Sequence, residues 1–367
     1  MRIAYICDTP YQVMNSLNLY WHDDRAGEDV QADLYIVDQF RGAKDIYNRV
    51  VAEDLFENVY FLKREENMLI PQKWKRTARI MYSYWNPRHA LRNQMGAFDV
   101  NRLVNRYGEI YASLIRCCTS ALIKLNPKAD FHLFEDGSGS YAGNLMTDSD
   151  GRLFQMFAKV FRTGAYAAHI KKLYVYTPAI CHSTVADEIC ALPALDQEFL
   201  EIAYRVFDMD TAAADKEILF LSQPADGQGK WAESMGRISK LLLPWKDRII
   251  VRMHPRDTAY ELYSDFAVDA RGDMWELKTT QMDLDRTVLI GYYSTAQMTP
   301  KMLHNKEPWL IFVCHIMNVT DREGLERFEQ GIEKIRQLYT NRDRIIVPHT
   351  AEELEAAMEK VMAEIAQ

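Results

Sequence analysis

Two short polar motifs, each directly after an apolar run, contain the residue types best suited to chemistry in this chain of 367 residues. Glu-Asp-Gly occupies positions 135–137, and His-Pro-Arg occupies positions 254–256. Polar residues at the end of a strand lie at the edge of a sheet, which is where open α/β folds bind ligands. An acid there suits proton abstraction, and a histidine beside an arginine suits contact with a phosphate. Because Asp136 and His254 are 118 positions apart, we expect them in two halves that face a shared cleft.

The first half of the chain alternates between strand-like and helix-like segments. Thr9 and Pro10 follow the first apolar strand and predict the start of a helix, with Thr9 as its cap and Pro10 in its first turn. Apolar residues at helical spacing predict a long helix over residues 100–124. This alternation is typical of a parallel sheet with helical crossovers. The predicted strands of this half are residues 3–7, 33–38, 58–62 and 131–134.

The alternation begins again in the second half. Strands are predicted at residues 217–222, 249–253, 287–291, 309–314 and 344–347, and helices at 229–243 and 350–366. The fold class is therefore α/β, with two doubly wound, Rossmann-like domains. We predict an N-terminal domain at residues 1–207, a polar linker at 208–216, a C-terminal domain at 217–349 and a terminal helix at 350–367.

Composition excludes several classes of protein. The net charge of −8 argues against nonspecific binding to nucleic acid or to an anionic membrane surface. No secretory signal and no membrane-spanning run is visible, and the six cysteines lack the spacing of a zinc site or a disulfide framework. We therefore expect a cytoplasmic protein. A basic cluster at residues 73–76 leaves open a peripheral contact with the inner face of the membrane.

The motifs resemble a known family. An acidic-acidic-Gly motif, a His-Pro motif and a later hydroxyl pair, in that order, look like the bacterial sialyltransferases of the GT-B type. The opening Asp-Thr-Pro-Tyr-Gln at 8–12 and the Ser-Gln-Pro at 222–224 resemble most closely glycosyltransferase family 52, the lipooligosaccharide sialyltransferase group. The resemblance covers residues 3 to about 315. The hydroxyl pair is Ser294-Thr295 here, a departure that keeps the second hydroxyl but adds a methyl group where the phosphate would fit.

The resemblance implies three catalytic residues. Glu135 would take the proton of the acceptor hydroxyl, because related families place the base at the first acidic position. Asp136 would orient the turn or raise the pKa of Glu135. His254 would stabilise the phosphate of CMP as it leaves, in place of a metal ion. Asp226, at another predicted strand-to-helix turn, remains an alternative base or a helix cap.

The resemblance also implies binding residues on both sides of the reaction. A hydroxyl pair at the start of a helix suits an anion. A surface ion pair between Arg256 and Asp257 remains an alternative to a ligand contact, and Glu276 would touch ribose or cytosine. The predicted donor-binding residues are Ser222, Gln223, His254, Arg256, Glu276, Ser294 and Thr295, and the predicted acceptor-binding residues are Thr9, Tyr11 and Gln12.

The function implied is a metal-independent, inverting sialyltransferase without a cofactor. It would transfer sialic acid from CMP-sialic acid to a terminal sugar, galactose, of a lipooligosaccharide or capsular glycan, and the family implies a homodimer. Two alternatives stay open. One is another GT-B enzyme, such as a Kdo-type transferase or a UDP-sugar epimerase, and the other is a noncatalytic protein of polysaccharide assembly.

Overall fold

The chain forms two compact units in a computed structural model, Met1–Asp208 and Met209–Gln367. The structure describes residues 1–26, 29–64, 76–141, 156, 160, 169–210, 217–223, 229–254, 257–269, 273–317 and 322–365. Most of the predicted linker at 208–216 lies outside these residues. The second unit also includes the C-terminal helix, which the sequence analysis had set apart.

The first unit contains seven strands and six helices of α type within the described residues. Its strands are β1 (Arg2–Cys7), β2 (Gln31–Val37), β3 (Asn58–Leu62), β4 (Glu109–Ala112), β5 (Asp130–Phe134), β6 (Ile170–Val175) and β7 (Glu188–Ala191). Its helices are α1 (Pro10–Trp21), α2 (Ala43–Glu53), α3 (Arg76–Trp85), α4 (Pro87–Met95), α5 (Cys117–Leu125) and α6 (Gln197–Phe207).

The second unit contains six strands among its described residues. They are β8 (Ile218–Leu221), β9 (Ile249–Arg252), β10 (Ala267–Asp269), β11 (Val288–Gly291), β12 (Trp309–Phe312) and β13 (Ile345–Ile346). The helices of this unit are α7 (Gly229–Leu242), α8 (Trp275–Lys278), α9 (Thr295–His304), α10 (Cys314–Met317), α11 (Arg322–Leu338) and α12 (Ala351–Ile365).

Both sheets are parallel, and both have the strand order of a doubly wound fold. The order is β3-β2-β1-β4-β5-β6-β7 in the first unit and β10-β9-β8-β11-β12-β13 in the second. In each, the chain moves outward from the first strand to one side and then continues on the other side of that strand. The crevice at this reversal, at the carboxyl ends of the strands, is the usual ligand site of such sheets. That crevice lies beside β1 and β4 in the first unit and beside β8 and β11 in the second.

The central strands are apolar along their whole length because helices cover both faces of a parallel sheet. Residues 3–7 of β1 and 218–221 of β8 are all buried. The predicted start of α1 is confirmed: Thr9 caps it by accepting a hydrogen bond from the backbone N–H of Gln12 at 3.2 Å, and Pro10 occupies the first turn. The strand-helix alternation therefore predicted the fold class correctly.

The predicted helix over residues 100–124 is wrong. This stretch contains a short 3-10 helix at Val100–Leu103, then β4, and only then α5. Ile110 and Tyr111 fit helical spacing. A short buried strand has no distinctive periodicity, so the sequence pattern did not indicate a strand here. Pairing of β4 with β1 and β5 decides the outcome. The sequence analysis also missed β6, β7 and β10.

No helix in the described part of the chain combines the length and the apolar character needed to cross a lipid bilayer.

Candidate active site

Four neighbouring strands of the first unit end at one level and bring polar residues to the carboxyl edge of the sheet. Ile6 of β1 is in register with Ala112 of β4, and Ala112 is in register with Leu133 of β5, which faces Leu173 of β6. The residues just beyond these positions therefore meet at the same edge. They are Asp8, Thr9, Ser113, Arg116, Glu135, Asp136 and Tyr176.

Glu135 is only 1% exposed, and other side chains already occupy its carboxylate. Its Oε1 accepts a hydrogen bond from the hydroxyl of Tyr11 at 2.5 Å, and its Oε2 accepts one from the hydroxyl of Tyr141, also at 2.5 Å. The backbone N–H of Tyr176 donates to the same Oε2 at 2.9 Å. Burial raises the pKa of Tyr141 and the adjacent carboxylate of Glu135 raises it further, so this tyrosine stays a hydrogen-bond donor. Such contacts fix the position of Glu135 firmly.

The main chain of Glu135 is held equally well. Its N–H donates to the carbonyl of Tyr174 at 2.9 Å, which extends the pairing of β5 with β6. Its carbonyl accepts from the side-chain amide of Asn15 in α1 at 3.1 Å and from the hydroxyl of Ser113 at 3.4 Å. Elements α1, β4, β5 and β6 therefore all converge on this one residue.

Asp136 has a more open environment. Its side chain is half-buried, and the hydroxyl of Thr9 donates to its Oδ1 at a long 3.4 Å. Burial raises the pKa of Asp136, while hydrogen bonds from Gln12 and Thr9 and the charge of Arg116 partly offset that rise. The backbone N–H of Asp136 donates to the hydroxyl of Ser140 at 2.8 Å, which closes the turn that follows. A half-buried carboxyl with a raised pKa is a better proton acceptor than an ordinary aspartate.

An ion pair lies at the reversal point of the first sheet. Nε of Arg116, from the loop between β4 and α5, is 3.2 Å from Oδ2 of the buried Asp8, which follows β1. The backbone N–H of Asp8 donates to Oε1 of Gln12 at 2.7 Å. Arg116 thus balances part of the negative charge of Asp8 and the nearby Asp136. Within the described ranges, no group of three or more His, Cys, Asp or Glu residues is arranged to hold a metal ion.

The second unit has a row of polar residues at the corresponding edge. Leu221 of β8 is in register with both Arg252 of β9 and Gly291 of β11. Ser222 follows β8 and is buried; its hydroxyl accepts a hydrogen bond from the backbone N–H of His254 at 2.9 Å. The N–H of Ser222 in turn donates to the carbonyl of Arg252 at 3.0 Å. The turn with His254 is therefore bound directly to the end of the neighbouring strand.

The third part of this row is the start of α9. Ser294 caps the helix, and its hydroxyl accepts from the N–H of Ala296 at 3.2 Å. Nε1 of Trp275 donates to the carbonyl of Ala296 at 2.7 Å. Arg252 lies 5.2 Å from the ring of Trp275 and pairs with Asp269 at 2.8 Å. One chain of contacts thus links β9, β10, α8 and the first turn of α9.

The predicted residues fall into two clusters, one in each unit. Thr9, Tyr11, Gln12, Glu135 and Asp136 share one hydrogen-bonded cluster in the first unit. Ser222, Gln223, His254, Ser294 and Thr295 follow three adjacent strand ends in the second. Glu276 lies in α8 beside Trp275, and its carbonyl is 3.2 Å from Nε2 of His304. Arg256 and the alternative base Asp226 lie outside the described residues.

The sequence analysis missed three residues of the first cluster. Arg116 was hidden inside the helix predicted over 100–124, and Tyr176 follows β6, a strand that was not predicted. The sequence did contain a signal for Tyr176. Thr177-Pro178 follows β6 just as Thr9-Pro10 follows β1, so this Thr-Pro pair could have indicated the end of a strand. Tyr141 lies in the short 3-10 helix Ser138–Tyr141 after the Glu-Asp-Gly motif, and nothing in its spacing identified it.

Comparison with known proteins supports the fold only. No protein-family model matches the chain, and neither does any curated protein sequence. Among solved structures, a UDP-GlcNAc 2-epimerase from Methanocaldococcus jannaschii has a TM-score of 0.51 at 10% identity, over 98% of this chain and 92% of its own. The spinosyn rhamnosyltransferase SpnG also has a TM-score of 0.51, at 12% identity, over 99% of this chain and 91% of its own.

A sialyltransferase from Photobacterium damsela matches as well, at 12% identity over 95% of this chain and 81% of its own. Its TM-score of 0.46 is too low to support any argument about this chain. Enzymes with different chemistry share this fold, so the similarity does not select among their reactions. The chain has a GT-B-type fold of two Rossmann-like domains, as predicted from the sequence, and its solved neighbours include sugar transferases and sugar epimerases.

Proposed function

We propose that this protein is a metal-independent, inverting sialyltransferase that uses CMP-sialic acid. One observation supports the proposal above all others. Two sheets of the same strand order present different chemistry at their carboxyl edges, a carboxyl cluster in the first and a Ser-His pair beside a capped helix start in the second. A transferase needs both, a base for the acceptor and a site for the leaving phosphate.

The reaction assigns a task to each cluster. The acceptor hydroxyl attacks the anomeric carbon of sialic acid while a carboxylate of the first unit removes its proton. The bond from that carbon to the phosphate oxygen breaks, and CMP leaves with the electron pair. His254, Ser294 and Thr295 would stabilise the phosphate, since the first N–H groups of α9 and its capping hydroxyls suit an anion. The acceptor is a terminal sugar, galactose, of a lipooligosaccharide or capsular glycan.

Asp136 is our choice as the base, with Glu135 as the residue that positions it. Both carboxylate oxygens of Glu135 already accept hydrogen bonds, and at 1% exposure the side chain offers an acceptor sugar little access. Asp136 is half-buried, its contact with the hydroxyl of Thr9 at Oδ1 is a long 3.4 Å, and burial raises its pKa. The family resemblance favours Glu135, so the two variants must be compared directly.

Calorimetric titration with CMP and with UDP, both in EDTA, tests the donor assignment. We expect CMP to bind without metal and this binding to be lost in His254→Ala. The matched control is His169→Ala, because His169 is an exposed histidine of the first unit that pairs with Asp187. A preference for UDP would contradict the proposal in favour of another GT-B enzyme. If neither CMP nor UDP binds, the result would favour a noncatalytic assembly protein.

Transfer itself is measured with CMP-sialic acid and a galactose-terminated acceptor. We expect release of CMP to depend on the acceptor and to persist in EDTA. Acceptor-dependent transfer that requires a divalent cation would contradict the metal-independent mechanism, even if CMP binds.

A further inference from the structure

One stretch of the first unit has a charge opposite to that of the whole chain. Residues 67–98 contain six Lys or Arg residues and no Asp or Glu, although the protein has a net charge of −8. The aromatic residues Trp74, Tyr82, Tyr84, Trp85 and Phe98 lie in the same stretch. Cations interspersed with aromatic residues are typical of protein segments that lie on an anionic membrane surface.

Several of these side chains are exposed in the described part of this stretch. Trp85, the last residue of α3, is 57% exposed, although tryptophan is highly buried on average. Arg88 and Arg92 of α4 are both exposed and are four positions apart, so they lie on one face of the helix. Nζ of the exposed Lys124, in α5, lies 4.9 Å from the ring centroid of Tyr84. We call Tyr84, Trp85, Arg88, Arg92 and Lys124 the basic-aromatic surface.

The cations of this surface have no acidic partner among the described residues. Arg88 donates to the neutral Oδ1 of Asn101 at 3.0 Å, and neither Arg92 nor Lys124 forms an ion pair there. The next acid in the sequence, Asp99, accepts its hydrogen bonds from Asn101.

Some surface arginines elsewhere in the same unit are paired, whereas the exposed Arg41 and Arg102 have no ion pair among the described residues. Arg25 binds Asp23 and Glu109, and Arg205 binds Glu53 at 2.7 Å. Two arginines at positions i and i+4 repel each other and destabilise a helix by a few tenths of a kcal/mol. The stability of α4 therefore does not explain why Arg88 and Arg92 are both present. The basic-aromatic surface is thus a concentration of positive charge that the rest of the unit does not neutralise.

We propose that the basic-aromatic surface docks onto a lipid bilayer that contains anionic headgroups. Arginine and lysine near such a surface each contribute about 1 kcal/mol, and an exposed tryptophan inserts its ring at the headgroup level. The net charge of −8 opposes nonspecific contact with nucleic acid and with an anionic bilayer alike, so contact is confined to this surface, where the exposed Trp85 favours a bilayer. The inference goes beyond the proposed reaction and does not depend on it.

Co-sedimentation of the full-length protein with vesicles tests this inference. One set of vesicles contains phosphatidylcholine alone, and the other contains about one-third phosphatidylglycerol. We expect binding to the anionic vesicles only, weakened by added salt. The double variant Arg88→Gln/Arg92→Gln should bind on the order of tenfold more weakly or worse, since two of the attractive charges are removed. Trp85→Ser should weaken binding severalfold at unchanged charge.

The matched control is Arg322→Gln/Arg327→Gln, which removes two exposed arginines from α11 in the other unit. It should bind the anionic vesicles as the unchanged protein does. Absence of binding to anionic vesicles would overturn the proposal, and so would equal loss in the control and the Arg88/Arg92 variant. Circular dichroism of each variant establishes that it is folded. Because the readout is sedimentation, it is independent of whether CMP-sialic acid is the donor.

Discussion

The two units have the same strand order around the first strand, but they place opposite chemistry at the same edge. In the first unit, Asp8, Glu135 and Asp136 meet there, with Arg116 as the cation paired to Asp8. In the second, Ser222, His254 and Ser294 follow the equivalent strand ends. The fold supplies the edge in both units, and the residues after each strand decide what that edge can do.

The clusters also differ in how they are held. Side chains hold the first, because Tyr11, Tyr141 and Thr9 reach across from other elements to its carboxyls. The main chain holds much of the second, since the N–H of His254 and the first turn of α9 make the key contacts. Side-chain substitutions should therefore reduce activity or stability more in the first cluster than in the second.

The largest effect is expected from Asp136→Asn. The amide cannot accept the acceptor's proton, so kcat for transfer should fall by about 10² to 10⁴. The matched control is Asp130→Asn, an exposed residue at the opposite end of β5 that pairs with Lys171. If Glu135→Gln abolishes transfer while Asp136→Asn does not, the base is Glu135 and our assignment is wrong.

Loss of a tyrosine hydroxyl at Glu135 should destabilise the first unit. Tyr141→Phe removes the donor to Oε2 of Glu135 and the acceptor of the Thr177 N–H, so we expect about 1–3 kcal/mol less free energy of unfolding. Urea unfolding measures this change, and the half-exposed Tyr260→Phe is the control. An unchanged unfolding midpoint in Tyr141→Phe would contradict the claim that this contact holds Glu135.

The raised pKa of Asp136 predicts how stability depends on pH. Its pKa in the folded protein lies above the ordinary value of 3.8, so the charged form is favoured less in the folded than in the unfolded chain. The contribution of Asp136 to stability is therefore fully present below pH 3.8 and is lost as pH rises through its folded pKa. As pH rises from 3.8 through the folded pKa of Asp136, the free energy of unfolding of Asp136→Asn should rise relative to that of the unchanged protein. Above that pKa the difference between the two proteins should be constant.

Urea unfolding of both proteins over a pH series measures this difference. A difference that is flat, or that moves in favour of the unchanged protein as pH rises, would show that burial does not raise the pKa of Asp136. The same group should produce an acidic limb in the pH profile of kcat, with its midpoint above 3.8.

The smallest effect is expected in the second unit, from Trp275→Phe. This change removes the hydrogen bond to the carbonyl of Ala296 and leaves most of the apolar contact, so the first turn of α9 is held less firmly. This hydrogen bond of about 1 kcal/mol is present with and without CMP, so we expect its loss to weaken CMP binding by at most roughly fivefold. Trp231→Phe is the control, since Trp231 lies in α7 and packs on Tyr292. Equal CMP affinity in Trp275→Phe and the unchanged protein would show that the contact from α8 does not contribute to CMP binding.

The sequence predicted the fold class because long apolar strands followed by capped helices leave few alternatives. Thr9-Pro10 identified the start of α1, and the apolar run before His254 identified β9. Strand length did not decide the outcome, since the four-residue β8 and β9 were predicted and the six-residue β6 was not. In β4, Ile110 and Tyr111 also fit a helix, so its identity depends on pairing with β1 and β5, which are distant in sequence.

The candidate site was predictable to the extent that it follows predicted strands. Glu135, Asp136, Ser222 and His254 each follow one, and all lie at a carboxyl edge of their sheet. Tyr141 and Tyr176 reach Glu135 from segments whose position only the folded chain defines. These contacts give Glu135 a different environment from Asp136. The sequence alone does not show that difference, because the two acids are adjacent.

The most direct test of this division of chemistry is CMP binding by two variants, measured by calorimetry in EDTA. We predict that Asp136→Asn binds CMP as the unchanged protein does, whereas His254→Ala no longer binds it. Loss of CMP binding in Asp136→Asn, or unchanged binding in His254→Ala, would contradict the assignment of the phosphate to the second unit and of the base to the first.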